Sequence, residues 1–225
     1  MFLNGPRKRL FTLLDTPVYA SSSSLVLLAL IFVFYGSGGA QNIVLAALVA
    51  VVAFVGILAH ELGHAMAVRG LGHGRSEIVF GALGGGCIHR ARMPRKHSVL
   101  VALAGPAVSL ALAAAHFGAE LALSSSLGGS GYLLSFLRIG ALLNLIWGLF
   151  NLLPIFPLDG GRALRTYLGA RMPERRAVRW SLKTSGIAGV LAILLAAWWN
   201  EIPAALLIAY LLLQNWQEWT SKYAR

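Results

Sequence analysis

Acidic side chains are scarce in this chain of 225 residues, which has eight Asp and Glu against nineteen Lys and Arg. Charge of either sign is thin, at 12% of residues, where a soluble domain carries about 25%. A single cysteine, Cys87, excludes an intrachain disulfide and a Cys-rich structural metal site. No repeat and no low-complexity linker divides the chain, so 1–225 reads as one domain with no separate soluble domain. No cleavable signal pattern precedes the first apolar run, which is therefore expected to be retained.

What is abundant is apolar surface: 57% of residues are hydrophobic, gathered into long runs. Six segments stand out, at 24–40, 43–68, 98–123, 132–153, 184–199 and 202–219, several long enough to cross a bilayer core of about 30 Å. The expected fold class is therefore an all-α polytopic membrane protein with about six transmembrane helices. Between segments two and three, Ser76–Arg92 departs from helical patterning. Two short β-favouring runs flank Gly84, Gly85 and Gly86, which predicts a small membrane-associated β-hairpin or re-entrant loop.

The net charge of +11 would suit nucleic acid, but its distribution fits orientation in a membrane better. Outside the segments, Lys and Arg number 3, 0, 6, 0, 7, 0 and 2 from the N-terminus to the C-terminus, an unbroken alternation. Positive residues collect on the cytoplasmic side, so both termini are expected there and no nucleic-acid partner is called for. Arg138, inside segment four, is the exception and is expected to snorkel to the outer interface. The basic stretch from Arg162 to Lys183 reads as topology plus contact with anionic lipid.

Against this apolar background stands His60-Glu61-Leu62-Gly63-His64, in the second segment. Residues four apart on a helix share a face, about 6 Å apart along the axis, so both imidazoles can reach one metal ion with Glu61 as general base toward water. The competing structural reading has the histidines hydrogen-bonded to neighbouring helices and Glu61 paired with one of them. Ionisable groups inside an apolar span are costly and mark function, which favours metal. A catalytic zinc needs a third protein ligand and an open position. Of the acids, Asp15, Glu77, Glu120, Glu174, Glu201 and Glu218 sit in loops or toward segment ends. Asp159 remains, at the cytoplasmic end of segment four and at the same depth as His60 and His64. On its own, Leu158-Asp159-Gly160-Gly161 would read as a turn whose Asp caps the next helix.

Together these motifs resemble the site-2 protease family of intramembrane zinc metalloproteases. The resemblance runs over about 43–168, carried by His60-Glu61-Leu62-Gly63-His64, then Ala104-Gly105-Pro106. It continues with Phe150-Asn151-Leu152-Leu153-Pro154 running into Pro157-Leu158-Asp159-Gly160-Gly161-Arg162. It implies one catalytic zinc ion on His60, His64 and Asp159, Glu61 as catalytic base, and Asn151 binding substrate or stabilising the developing oxyanion. It also implies that Gly84, Gly85 and Gly86 belong to a hairpin beside the active site whose edge can take an unwound substrate by strand addition. The implied substrates are single-span membrane proteins, such as anti-sigma factors or signal-peptide remnants, cleaved within the bacterial inner membrane. With no PDZ-like or CBS-like module present, regulation would fall to a membrane partner or to substrate shape. The chain departs from many relatives in carrying Ser109 where they carry Asn.

The other histidines ask for less. His73 and His97 lie near segment ends, His116 reads as a hydrogen-bonded residue of segment three, and His89 adjoins the glycine hairpin. Other readings stay open: a prenyl-protein endopeptidase with a downstream Glu ligand, a metal transporter or sensor using the same three ligands, and a non-catalytic relative. No downstream Glu lies at matching depth, and the polar residues cluster rather than line a path, which argues against the first two. The complete ligand set with Glu61 argues against the third.

Overall fold

The computed structural model describes residues 6–35, 40–82, 84–124 and 131–223. In chain order the elements are β1 (Arg7–Leu13), β2 (Thr16–Ser21), α1 (Ser24–Tyr35), α2 (Ala40–Gly70), β3 (Ser76–Gly81) and β4 (Gly84–His89). Then come α3 (Arg95–Ser124), α4 (Tyr132–Leu152), α5 (Asp159–Arg171), α6 (Glu174–Trp198) and α7 (Ile202–Tyr223). Contacts divide the chain into two compact units, one formed by 1–92 with 104–148 and the other by 93–103 with 149–225.

The first unit holds a four-stranded sheet in the order β1-β2-β3-β4. β1 and β2 form an antiparallel hairpin across Leu14 and Asp15, both at positive φ, as a two-residue turn between twisted strands requires. β2 then pairs parallel with β3, Val18 beside Ile78 and Ala20 beside Phe80. Such a pairing needs a long crossover, here α1 and α2. β3 and β4 pair antiparallel, Val79 opposite Gly86 and Gly81 opposite Gly84. The alternation of strand side chains puts Val18, Ile78 and Phe80 on one face, where they bury against Ile57, Leu58 and Leu62 of α2 and Trp147 of α4. β1 is exposed along its length.

The second unit is built on the α6–α7 pair. Ile208 and Leu211 of α7 pack with Ile155 and with Ala188, Ala192 and Ile193 of α6. Gly189 lets the helices close, because a Cβ there would meet the Leu212 side chain. Arg165 of α5 joins all three helices: its guanidinium makes two 3.1 Å contacts to Glu218, donates to Ser181 Oγ at 2.9 Å and lies over the Phe156 ring.

Among the described residues, four helices are long and apolar enough to cross a membrane, namely α2, α3, α4 and α6. Ile43, Val51 and Val55 of α2, Leu142 and Ile146 of α4, and Ile187, Leu191 and Leu194 of α6 all point away from the protein interior. Apolar surface on that scale belongs against lipid rather than water. The segment expected at 24–40 is described as a 12-residue helix to Tyr35, and 36–39 lie outside the described residues. The segment expected at 184–199 is the end of a longer helix that starts at Glu174. The one expected at 202–219 is helical, but Gln214, Asn215, Gln217 and Glu218 break its apolar run. The basic stretch from Arg162 to Lys183 is helical too, apart from the short break before Glu174. Arg138 does not stand alone: its guanidinium pairs with Glu120 of α3.

Candidate metal centre

α2 is 31 residues long and sets His60, Glu61 and His64 on successive positions of one buried face. The three are 2%, 4% and 6% exposed, so each polar atom must be met by protein or by a bound species. His60 and His64 turn their Nε2 atoms toward each other at 3.3 Å, with ring planes 81° apart. A tetrahedral zinc with bonds of 2.0–2.1 Å to nitrogen separates two such ligands by about 3.3–3.4 Å. The pair thus fits one ion facing both Nε2 atoms. The other ring nitrogen of His60, Nδ1, lies 2.9 Å from the Ser109 hydroxyl.

α3 comes close to this pair because it carries Gly105. A Cβ at that position would lie 2.8 Å from His60 Nε2 and against the His64 imidazole. Gly63 performs the matching service on α2, where a Cβ would meet the Ala104 carbonyl oxygen at 2.9 Å. The Ala104-Gly105-Pro106 motif therefore acts by absence of bulk. Pro106 lies inside α3 and is fully buried.

β4 passes on the Glu61 side. A Cβ on Gly85 would stand 2.7 Å from Glu61 Cγ and 3.0 Å from Ile57 Cγ2, and one on Gly84 would meet the Trp147 ring at 2.9 Å. Gly84 also has φ +128, outside the range of ordinary side-chain-bearing residues. Trp147 packs edge-on to the His60 ring, with centroids 6.2 Å apart. Glycines thus bring a strand backbone against the carboxylate of Glu61.

Asp159 opens α5 and is 6% exposed. The N-cap position of that helix is Leu158, so Asp159 is its first residue and not its N-cap. The residues before it form a tight connection from α4. The N–H of Phe156 donates to Ser185 Oγ at 3.0 Å, and Asn215 Nδ2 donates to the Phe156 carbonyl at 2.8 Å. Backbone crowds Gly160 and Gly161 so closely that neither has room for a Cβ. Asn151 lies in the last turn of α4 and is buried. His60 and His64 of the first unit each offer a ring nitrogen to a metal ion, and Asp159, in the second unit, offers a buried carboxylate.

A helical chain with spans of membrane length, a buried His-Glu-x-x-His pair and a buried carboxylate belongs to the class of membrane metalloproteins. Comparison with known proteins narrows this. Residues 125–196 match peptidase family M50, a stretch that includes Asn151 and Asp159. Rip3 of Mycobacterium tuberculosis, a zinc metalloprotease by name, is 37% identical over 175 residues, 75% of this chain and 40% of the relative. A zinc metalloprotease of Methanocaldococcus jannaschii is 30% identical over 72% of this chain and 46% of its own length. The chain thus spans less than half the length of these two relatives. A solved site-2 protease from Methanocaldococcus jannaschii shares the fold with a TM-score of 0.67 and 24% identity, covering 95% of both chains. The chain belongs to the M50, or site-2 protease, family and is an integral membrane protein.

Sequence reading passed over two residues that the structure brings to the histidines. Ser109 was visible only as a departure from relatives, and Trp147 not at all. The four-residue spacing of Gly105 and Ser109, which puts both on one face of α3 just as His60 and His64 share a face of α2, was the available signal.

Proposed function

We propose that this protein is an intramembrane zinc endopeptidase that hydrolyses peptide bonds within or near transmembrane segments of other membrane proteins. The observation that carries the reading is the buried pair His60 and His64, their Nε2 atoms 3.3 Å apart, with buried Glu61 beside them in sequence and a third candidate ligand, Asp159, also buried. Two neutral imidazoles and one carboxylate form a catalytic zinc donor set that leaves one position open. Zinc held there supplies Lewis acidity toward a carbonyl and toward water.

The chain's own residues divide the remaining work. Glu61 accepts a proton from the attacking water and delivers it to the leaving amine. Asn151 donates hydrogen bonds to the substrate backbone or to the oxyanion as charge develops. The edge of β4 around Gly84, Gly85 and Gly86 pairs with a substrate segment that has unwound from its helix. Unwinding is required because a helical peptide bond is shielded by its own hydrogen bonds, and irregular backbone survives at membrane depth only where protein or a water cavity surrounds it.

In this proposal the chain is a single catalytic domain crossing a bacterial inner membrane six times, with both termini cytoplasmic and anionic lipid against Arg162–Lys183. Its substrates are single-span membrane proteins, anti-sigma factors or signal-peptide remnants among them, and a membrane partner regulates access. The test is purified protein incubated with a synthetic transmembrane substrate, with and without a zinc chelator. Cleavage that stops on chelation and returns with zinc supports the reading. Cleavage indifferent to zinc, or zinc bound with no cleavage of any transmembrane substrate, overturns it.

A further inference from the structure

The metal-facing nitrogen of His60 is fixed by what its other nitrogen does. Imidazole has one proton to place in its neutral form: if Nε2 is to present a lone pair to a metal, Nδ1 must carry the hydrogen and needs an acceptor. In this fold Nδ1 lies 2.9 Å from Ser109 Oγ. Ser109 is 0% exposed and His60 is 2% exposed, so water does not substitute freely for that hydroxyl. The ring is held on its other sides by the edge of Trp147 and by the His64 imidazole, neither of which reads the difference between the two tautomers at Nδ1.

We propose that Ser109 is the positioning residue for His60, accepting its Nδ1–H and so holding the ring in the tautomer and rotation that turn Nε2 to the metal. The proposal rests on the zinc-site reading above and adds to it the residue that tunes one ligand. α3 then carries two linked devices on one face: Gly105 clears the volume beside both Nε2 atoms, and Ser109, one turn later, grips the opposite nitrogen. Gly105 thus serves both histidines, and Ser109 serves His60. A serine suffices because the α3 backbone comes close enough for a one-carbon side chain to reach.

Replacing this acceptor removes the hydrogen bond that fixes the ring's tautomer. Loss of a hydrogen-bond partner to a ligating histidine lowers metal affinity by about 10- to 100-fold. The experiment is zinc titration of purified protein in detergent, by competition with a chromophoric chelator, for the native chain and for Ser109→Ala, Ser109→Thr and Ser109→Val. Thr and Val have nearly the same shape and differ in the hydroxyl, so any crowding against Gly148, whose Cβ position lies 3.2 Å from Ser109 Cβ, affects both alike. Ser109→Ala is expected to bind zinc 10- to 100-fold more weakly than the native chain, and Ser109→Thr to bind at least tenfold more tightly than Ser109→Val. Native affinity in Ser109→Ala, or equal affinities for the Thr and Val variants, overturns the proposal. His60→Ala and His64→Ala run alongside: if neither lowers zinc binding, the metal-site reading itself has failed rather than the role given to Ser109.

Discussion

At the scale of single residues, the proposed function separates groups that would hold metal from groups that would do chemistry, and substitutions should separate them too. Glu61→Gln preserves volume and a hydrogen-bonding tip but cannot accept a proton. It should keep its zinc while cleavage falls by about 10²- to 10⁴-fold, the usual contribution of a general base. Cleavage at the native rate in that variant removes Glu61 from the mechanism. Asp159→Asn should lose zinc first and activity as a consequence, measured as metal content after dialysis. Two glycines make the same distinction without touching a polar atom. In Gly105→Ala the new methyl would lie 2.8 Å from His60 Nε2, so most bound zinc should be lost. In Gly85→Ala it would lie 2.7 Å from Glu61 Cγ, with Ile57 at 3.0 Å preventing escape to the other side. Glu61 must then move, and a displacement near 1 Å costs about 10²-fold in rate, while zinc should stay. Equal zinc loss in both glycine variants would mean that β4 supports the metal rather than the base.

At the scale of elements, the connection from α4 to α5 sets where Asp159 points. Ser185 Oγ receives the Phe156 N–H at 3.0 Å and stands 2.8 Å from the Ser181 carbonyl, and Asn215 holds the Phe156 carbonyl from α7. Ser185→Ala leaves the Phe156 N–H without its acceptor. It should cost about 1–3 kcal/mol of stability, seen as a lower melting temperature in detergent, with weaker zinc binding beside it. A loop that keeps both properties in that variant is held by other means. Helices were legible in the sequence where a long apolar run or a motif announced them, and α2, with its His60-Glu61-Leu62-Gly63-His64 motif, was the clearest. The strands β1 and β2 were not legible. Their sheet depends on a parallel pairing of β2 with β3 between residues 60 apart in sequence, Val18 with Ile78 and Ala20 with Phe80, and nothing in the local pattern of Arg7–Ser21 reveals a partner that distant. α5 was hidden for another reason. Its sequence is polar and basic, so it reads as loop, yet Arg165 is satisfied by Glu218, Ser181 and the Phe156 ring, partners brought by helices that follow it.

For the whole molecule, depth is the property that ties charge to chemistry. Helices α2, α3, α4 and α6 are long enough to span, and the Lys and Arg outside the apolar segments alternate in number between successive connections. If that alternation reports orientation, the connection at Met172 and Pro173, among seven positive residues, is cytoplasmic, and the turn at Asn200 and Glu201, with none, faces outward. Cysteines placed one at a time at Met172 and Asn200, in a chain whose Cys87 has been replaced by Ala, test this in intact cells. A membrane-impermeant thiol reagent should label the Asn200 position at once and the Met172 position only after permeabilisation. The same orientation puts His60 and His64, in the C-terminal half of α2, toward the inner face of the bilayer. Water for hydrolysis would then enter from the cytoplasm, and a substrate must offer its scissile bond at that depth. The reverse labelling pattern would move the entry to the outer face and require substrates cut near their outer ends. Labelling at both positions in intact cells would remove the six-span arrangement altogether.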